Sequence, residues 1–345
     1  MGDTRFHNSK GDKNKHLTHF KVENFKRFES FETKDLAQFN LIVGDNNVGK
    51  TSVLEALLID DFALVPAINL FNILKLKYSF KDIKYRDLSF FCNRSKENEF
   101  RNISFQMNGI SFERQIHLIF DFQNKKVSIQ DSRDELNQTA GFLAEGDTSE
   151  IGIPYISPFY RDDDSNSANI YSEEIQRKPL LKQQFLEGIR MMIPDLENIE
   201  PYVPKDMPPN LIFTKSSYQV PLPLDLLGDG TVNLFRILVV IYSNRGGRVM
   251  VDEVDAGIHF SRLKEFWKVI LQTAKDNDVQ LFMTTHNEEC IKYFKEVLEM
   301  DLPDLQKDVR SITLVENKKT KLVTAHTYNF EQFEHALAVG NEVRA

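Results

Sequence analysis

A chain of 345 residues with 41% hydrophobic side chains can bury a large core, and its two cysteines, Cys92 and Cys290, are too few for a disulfide framework and have no metal-binding spacing. The formal net charge of −8 argues against broad coating of nucleic acid, although it leaves room for a local basic patch; no run reaches the roughly 18 apolar residues of a membrane span. The polar start Met1–His16 lacks an apolar leader core and Phe6 stands where a myristoylation signal needs Ser or Thr, so the expectation is a reduced, cytoplasmic protein without a membrane partner.

Residues 1–15 are polar and read as a disordered N-terminus. Three short strands follow, His16 to Val22, Arg27 to Thr33 and Phe39 to Val43. The third runs into Gly44-Asp45-Asn46-Asn47-Val48-Gly49-Lys50-Thr51, which fits G-x-x-x-x-G-K-[ST], and a helix over Ser52 to Ile59 comes next. The glycines let the backbone curl, so the N–H groups of Asn46, Asn47, Val48, Gly49, Lys50, Thr51 and Ser52 can cradle phosphates. Lys50 places a charge on the outer phosphates, and Thr51 offers a hydroxyl to Mg²⁺. Val53, Leu54, Leu57 and Leu58 share the face that packs on a sheet, leaving the helix N-terminus for the anion. The stretch reads as a nucleoside-triphosphate site.

Beyond the helix the chain turns β-rich. Asn108-Gly109 is a hairpin signal between Ser104–Met107 and Ile110–Glu113, with further strands at Gln115 to Phe122 and Lys126 to Gln130. A polar stretch from Asp131 to Glu150 precedes a strand at Ile151 to Ser157, and Asp162-Asp163-Asp164 reads as a solvated loop. A helix spans Glu173 to Met192, closed by Pro194; Pro204, Pro208 and Pro209 mark a loop before a strand at Asn210 to Phe213. Residues 61–209 are therefore expected to be an insert, with a β-rich middle plus helices, in a head made of 16–60 and 210–345. Holding no catalytic constellation, this insert is the expected docking region for a partner subunit or another copy of the chain.

The second half of the site comes from later strands. Arg248-Val249-Met250-Val251 runs into Asp252 and Glu253, placed to hold Mg²⁺ through water and to polarise an attacking water. Phe260, Leu263, Phe266, Trp267, Ile270, Leu271 and Ala274 follow at helical spacing and read as core. The strand Val279 to Thr285 delivers His286 as a γ-phosphate sensor, and Asn287 looks like the cap of the next helix.

Asp252-Glu253, Val254-Asp255-Ala256-Gly257-Ile258-His259 and Thr284-Thr285-His286 resemble the Walker B, D-loop and H-loop of ABC-type ATPase heads. With Asn24-Phe25-Lys26-Arg27-Phe28 ahead of the phosphate loop, they are similar to the SMC/RecF branch, and to the ATPase domain of the overcoming-lysogenization-defect (OLD) family. The resemblance covers about residues 16–60 and 210–300. It implies an α/β fold: a central, mostly parallel sheet with helices, an N-terminal antiparallel β lobe, and a mixed α+β insert. It also implies ATP with Mg²⁺, Asp255 near the nucleotide, and a signature loop that reaches across a homodimer or higher homo-oligomer. Gly228, Asp229 and Gly230, within Leu227 to Thr231, stand in that place, departing from Leu-Ser-Gly-Gly-Gln at Gly228, Asp229 and Thr231. A Q-loop glutamine could be Gln123, Gln130 or Gln176.

The function so implied is an ATP-hydrolysing dimeric switch that governs a separate effector, such as a Toprim nuclease in bacterial antiphage defence. The 59 residues after His286 offer too little room for that nuclease, so it would act in trans. The alternative is a RecF/SMC-like repair ATPase that clamps DNA, for which the chain shows no clear Lys/Arg stripe. A transporter ATPase fits poorly, given the degenerate signature and the long stretch between Lys50 and Asp252. No Asn-Lys-x-Asp motif appears, which leaves guanine specificity unsupported but not disproved.

Overall fold

The computed structural model describes residues 16–59, 67–78, 85–93, 100–121, 126–132, 154–158, 164–203, 205, 210–217 and 220–338. The N-terminal stretch 1–15, the acids Asp162 and Asp163, Gln123, the prolines 204, 208 and 209 and most of the polar run 131–150 lie outside the described residues.

Strands β1 (Leu17–Phe25) and β2 (Phe28–Lys34) form a hairpin whose tight turn carries Lys26 at φ 48°. β3 (Phe39–Gly44) is fully buried and leads through the phosphate loop into α1 (Lys50–Ala56), then α2 (Ile68–Tyr78). β4 (Phe100–Gly109), β5 (Glu113–Asp121) and β6 (Lys126–Asp131) extend the hairpin into a five-stranded antiparallel sheet ordered β2-β1-β4-β5-β6. The strands that the sequence reading grouped with segment 61–209 are thus paired with β1, residue for residue from Phe20 opposite Met107 to Glu23 opposite Ser104.

The Asn108-Gly109 hairpin is displaced from its expected register. Asn108 and Gly109 end β4, Asn108 pairs with Glu113, and the turn closes through the Gly109 N–H donating to the Phe112 carbonyl (2.9 Å). A Cβ on Gly109 would lie 2.2 Å from the Phe112 ring, so glycine serves here to admit the ring. The two strands expected at Ile110–Glu113 and Gln115–Phe122 therefore reduce to one, β5.

Next come β7 (Tyr155–Ile156), α3 (Asp164–Ile170), a π-helical turn at Tyr171–Gln176, and α4 (Pro179–Met192). The expected single helix over Glu173 to Met192 is broken because Pro179 forces Lys178 into an extended conformation (φ −112°, ψ 98°) and starts a new helix at its own ring. β8 (Leu196–Tyr202), β9 (Asn210–Lys215) and β10 (Leu222–Pro223) make a small antiparallel sheet ordered β10-β9-β8.

The remaining elements are α5 (Asp229–Ser243), β11 (Arg248–Val251), α6 (Leu263–Asp276), β12 (Gln280–Thr284), α7 (Glu288–Met300), β13 (Val309–Glu316), β14 (Val323–Tyr328) and α8 (Phe330–Ala338). The central sheet runs β14-β13-β3-β12-β11-β7, parallel except for β14. Its strands alternate between two cores with the period of two that the pleat imposes. Leu41, Val249, Val251, Leu281 and Met283 join the core of α5, α6 and α7, while Ile42, Met250 and Phe282 join the core under the antiparallel lobe. Gln280, 1% exposed, ties lobe to sheet: its amide accepts from the Leu17 N–H (2.9 Å) and donates to the Leu17 and Ala37 carbonyls (2.8 Å each). The carboxyl ends of β3, β11 and β12 meet on one edge, where ligands of open α/β sheets bind.

Candidate active site

The phosphate loop leaves β3 through backbone that only glycine or a short polar residue accepts easily: Gly44 at φ 145°, Asn47 at φ 63° and Gly49 at φ 110°. A Cβ on Gly44 would come within 2.7 Å of the Leu314 carbonyl oxygen of β13; one on Gly49 would meet Arg27 and Phe28 at 2.9 Å. Val48 is buried in the lobe core and anchors the loop, while Asn46 and Asn47 are exposed. Arg27 donates to the Asn47 carbonyl and pairs with Glu316 at the end of β13, bracing the loop from the β1–β2 turn. Lys50 Nζ donates back to the carbonyls of Gly44 (2.7 Å) and Asp45 (2.9 Å), across the space a phosphate would enter. Thr51 and Ser52 are half-buried in the first turn of α1, and Val53, Leu54, Leu57 and Leu58 are buried as their spacing requires.

Asp252, 3% exposed, follows β11 and is gripped by hydroxyls. Thr51 Oγ1 donates to its Oδ2 (2.8 Å), Tyr155 of β7 donates to the same oxygen (3.3 Å), and Thr284 of β12 donates to Oδ1 (2.6 Å). The Thr51 hydroxyl and the Asp252 carboxylate, in contact, are the hard oxygen donors that suit Mg²⁺, an ion that takes few protein ligands and shares phosphate oxygens. Among the described residues no three His, Cys, Asp or Glu side chains gather into a closed metal cage.

Glu253 sits at φ 46°, an unusual conformation for its type, and its N–H donates to Thr284 Oγ1 (2.8 Å). One hydroxyl therefore fixes both acids. The Glu253 side chain is 32% exposed, and its carboxyl is pushed above the usual carboxylate range, chiefly by burial, with Asp252 and Asp255 adding to the effect and His286 and Lys50 opposing it. His286 Nδ1 lies 3.7 Å from Glu253 Oε1, so β12 brings the sequence-read histidine to the sequence-read base. A carboxylate poised upward in pKa, beside an imidazole, is equipped to take a proton from water.

Other sequence-read residues stand differently. Asp255 accepts from Thr285 Oγ1 (2.7 Å) and Asn287 Nδ2 (2.9 Å), so both its oxygens are engaged in its own chain. Asn287 in turn caps α7, accepting from the Glu289 N–H (2.9 Å). Gly228 is the N-cap of α5, exposed, with no atom of the described residues within 4 Å of where a Cβ would stand. Asp229 is exposed in the first turn, and Gly230 abuts Gly257 of the loop after Glu253. Gln130 is exposed on β6 and Gln176 is half-buried in the π-helical turn; the hydrogen bonds to Asp252 come instead from Thr51, Tyr155 and Thr284.

Sequence reasoning missed a buried charge cluster beneath the loop. Glu55 of α1 has 0% exposure and is flanked by the ammonium groups of Lys26 and Lys77. Burial pushes Lys26 down to about 8 and Lys77 down to about 7, with the nearby Asp252 charge opposing both shifts. The available signal was an acid in the middle of an otherwise inward-facing helix; its partners, 29 residues before and 22 after, follow no local pattern.

Residues 86–291, more than half of the chain, match the family described as "AAA domain, putative AbiEii toxin, Type IV TA system". That span includes Asp252, Glu253 and His286. The chain is 22% identical over 323 residues to an "ATP/GTP phosphatase" of Helicobacter pylori (strain ATCC 700392 / 26695), covering 81% of this chain and 87% of that protein. An SMC head bound to the C-terminal winged-helix domain of ScpA superposes with TM-score 0.58 at 12% identity, over 93% of this chain and 99% of that one. An SMC head with an extended coiled coil, bound to the C-terminal domain of ScpA and derived from Pyrococcus furiosus, gives 0.57 at 10% identity, over 95% and 100%. With the phosphate loop, the Asp-Glu strand end and the head fold in one place, the chain belongs to the "AAA domain, putative AbiEii toxin, Type IV TA system" family and is a P-loop ATPase that shares the fold of the SMC heads.

Proposed function

We propose that this ATPase works as a dimeric switch: two chains close head to tail on two nucleotides, and closure controls a separate effector. The observation that carries the reading is the open end of α5. Among the described residues nothing stands within 4 Å of where a Cβ on Gly228 would be, so its helix N-terminus offers backbone donors to a group that another chain brings. Two-fold symmetry would then complete both sites together. The glycines substitute for the missing signature serine through N–H groups alone, which makes a weaker contact with the γ-phosphate.

Within each site Lys50 and the loop N–H groups of residues 46–52 bind the triphosphate. Thr51 and Asp252 would hold Mg²⁺, which when bound neutralises phosphate charge. Glu253 takes the proton of the attacking water, and His286 orients that carboxylate and senses the γ-phosphate. Asp255 acts one step back, fixing the cap of α7 and with it the backbone that carries His286. ATP is the nucleotide of the family resemblance; the relative named for both ATP and GTP makes a purine comparison worthwhile. The effector proposed from the OLD resemblance is a Toprim nuclease in antiphage defence, supplied by another chain in the cytoplasm. The test is the mass of Glu253→Gln, which should bind ATP and turn it over slowly. With Mg²⁺-ATP it should sediment at twice the 40.0 kDa of one chain, and without nucleotide at a lower mass. A single-chain mass at saturating nucleotide would remove the dimer from the account.

A further inference from the structure

The loop that follows Glu253 is held from two sides. On one side Val254 N–H donates to the Thr284 carbonyl (2.9 Å), and Asp255 is bonded by Thr285 and Asn287. On the other side the loop meets the first turns of α5. Asn233 uses one amide group for two bonds, Nδ2 donating to the carbonyls of Val254 (3.2 Å) and Ala256 (3.0 Å). Beside it the two backbones touch through paired glycines. A Cβ on Gly230 would lie 2.5 Å from the Gly257 oxygen, and one on Gly257, at φ 75°, would lie 2.9 Å from Gly230 N. Side chains are absent at both positions because the backbones occupy the space. The loop itself is short and internally bonded, with Ala256 N–H on the Glu253 carbonyl (2.9 Å) and Ile258 N–H on the Asp255 carbonyl (3.0 Å).

We propose that Asn233 is a positioning residue for hydrolysis: by clamping the Val254–Ala256 backbone to the start of α5, it makes Glu253 and the Gly228–Gly230 turn move as one body. Glu253 needs such a clamp. Its positive φ is costly for a glutamate and persists only where neighbouring contacts over-determine it. Thr284 supplies one constraint at the Glu253 N–H, and Asn233 supplies the next, at the carbonyl of residue 254. The geometry also has a consequence that rests on the dimer reading. When the α5 turn seats on the partner's nucleotide, the clamp keeps that turn in register with Glu253 of its own chain, so each chain links the two sites through one rigid connection.

The test uses the full chain with Asn233→Leu, which keeps the γ-branched skeleton in a somewhat larger side chain and loses both donors, and the isosteric Asn233→Asp, which presents acceptors to two carbonyl oxygens. Asn233 is half-buried, so neither variant opens the core. For both, kcat should fall about tenfold or more while KM and the Mg²⁺-ATP Kd stay within about twofold. Amide exchange of residues 254–258 should accelerate, with exchange in β11 and β12 unchanged. Faster exchange with wild-type kcat would overturn the proposal, as would loss of ATP affinity in proportion to kcat. A mixed-chain arm separates this proposal from the dimer reading. In a heterodimer of Asn233→Leu with Lys50→Ala, the surviving phosphate loop and the unclamped Glu253 belong to the same chain, so activity should stay low. Recovery to the level given by Gly228→Glu with Lys50→Ala would show that Asn233 acts only through the signature turn, and would overturn the positioning role. If neither mixture recovers although heterodimers form, the dimer reading fails; kcat and exchange still decide the clamp.

Discussion

Thr284→Val tests the construction of the site from the inside. Valine matches threonine in shape, and Thr284 is fully buried, so the change removes one hydroxyl and little else. That hydroxyl donates to Asp252 Oδ1 (2.6 Å) and accepts from the Glu253 N–H (2.8 Å). The first bond is to a buried carboxylate and is worth roughly 1.5–3 kcal/mol; the second is neutral and worth roughly 0.5–1.5 kcal/mol. The predicted loss of stability is the sum, about 2–4.5 kcal/mol. With an unfolding entropy of about 2 cal/mol/K per residue, that lowers the Tm by about 3–6 °C for a chain of 345 residues. The kinetic effect should be larger than the thermal one suggests, because Asp252 and Glu253, the proposed Mg²⁺ ligand and base, lose their common anchor: kcat should fall about tenfold or more. Circular-dichroism melts and phosphate release at saturating Mg²⁺-ATP measure the two effects. Thr285→Val is the control, since its hydroxyl serves Asp255 and the Asn287 N–H, away from both acids, and it should lower the Tm with a smaller loss of kcat. Wild-type kcat and Mg²⁺ dependence in Thr284→Val would refute the claim that one hydroxyl sets both acids.

Glu253→Gln should retain ATP binding and lose about 10²-fold or more in turnover, read by nucleotide titration and phosphate release; an unchanged rate would move the base elsewhere. Lys50→Ala should lose ATP affinity itself, measured by the same titration. Lys26 and Lys77 have folded pKa values of about 8 and about 7, below those of unfolded lysine, so between those values and pH 10 the unfolded chain binds more protons. Stability should therefore rise with pH from about 7 to 9, by at most about 1.4 kcal/mol per unit for each lysine, and Lys77→Met should flatten the slope in melts across that range. Gly109→Val should lower the Tm by displacing Phe112 from the end of β4, without changing ATP affinity.

The legible parts of this site are those whose chemistry is local in the chain. Gly44 to Thr51 can be read because the loop, its strand and its helix are contiguous, and Asp252-Glu253 because two acids end an apolar strand. His286 follows from the same strand-end logic. Tyr155, Thr284 and Asn233 were not assigned roles, since a tyrosine, a threonine and an asparagine are ordinary until the sheet order β3-β12-β11-β7 brings the first two beside Asp252 and Glu253 and α5 brings the third against the loop after Glu253. The fold shows the same division. The hairpin signal and the β-rich character of the stretch pointed to strands within residues 100–131, but nothing in their sequence tells that β4 pairs with β1, about eighty positions earlier. Pro179 was a local signal that the helical spacing around it masked. The Asn108-Gly109 dipeptide favoured a tight turn, and the packing of Phe112 moved that turn onward.

The most direct test of the switch is complementation between two inactive chains. Lys50→Ala removes the phosphate loop's charge, and Gly228→Glu places bulk and negative charge at the open end of α5. Gly228 suits this purpose better than Gly230, where a side chain would strike the Gly257 carbonyl in its own chain and disturb Glu253. Each variant alone should be inactive, and Gly228→Glu should still bind ATP. Mixed together they form heterodimers with one complete site, the Gly228→Glu phosphate loop closed by the intact Gly228 turn of the Lys50→Ala chain. The account predicts recovery of a substantial part of one site's activity in the mixture. Heterodimers that form and hydrolyse no ATP would contradict it.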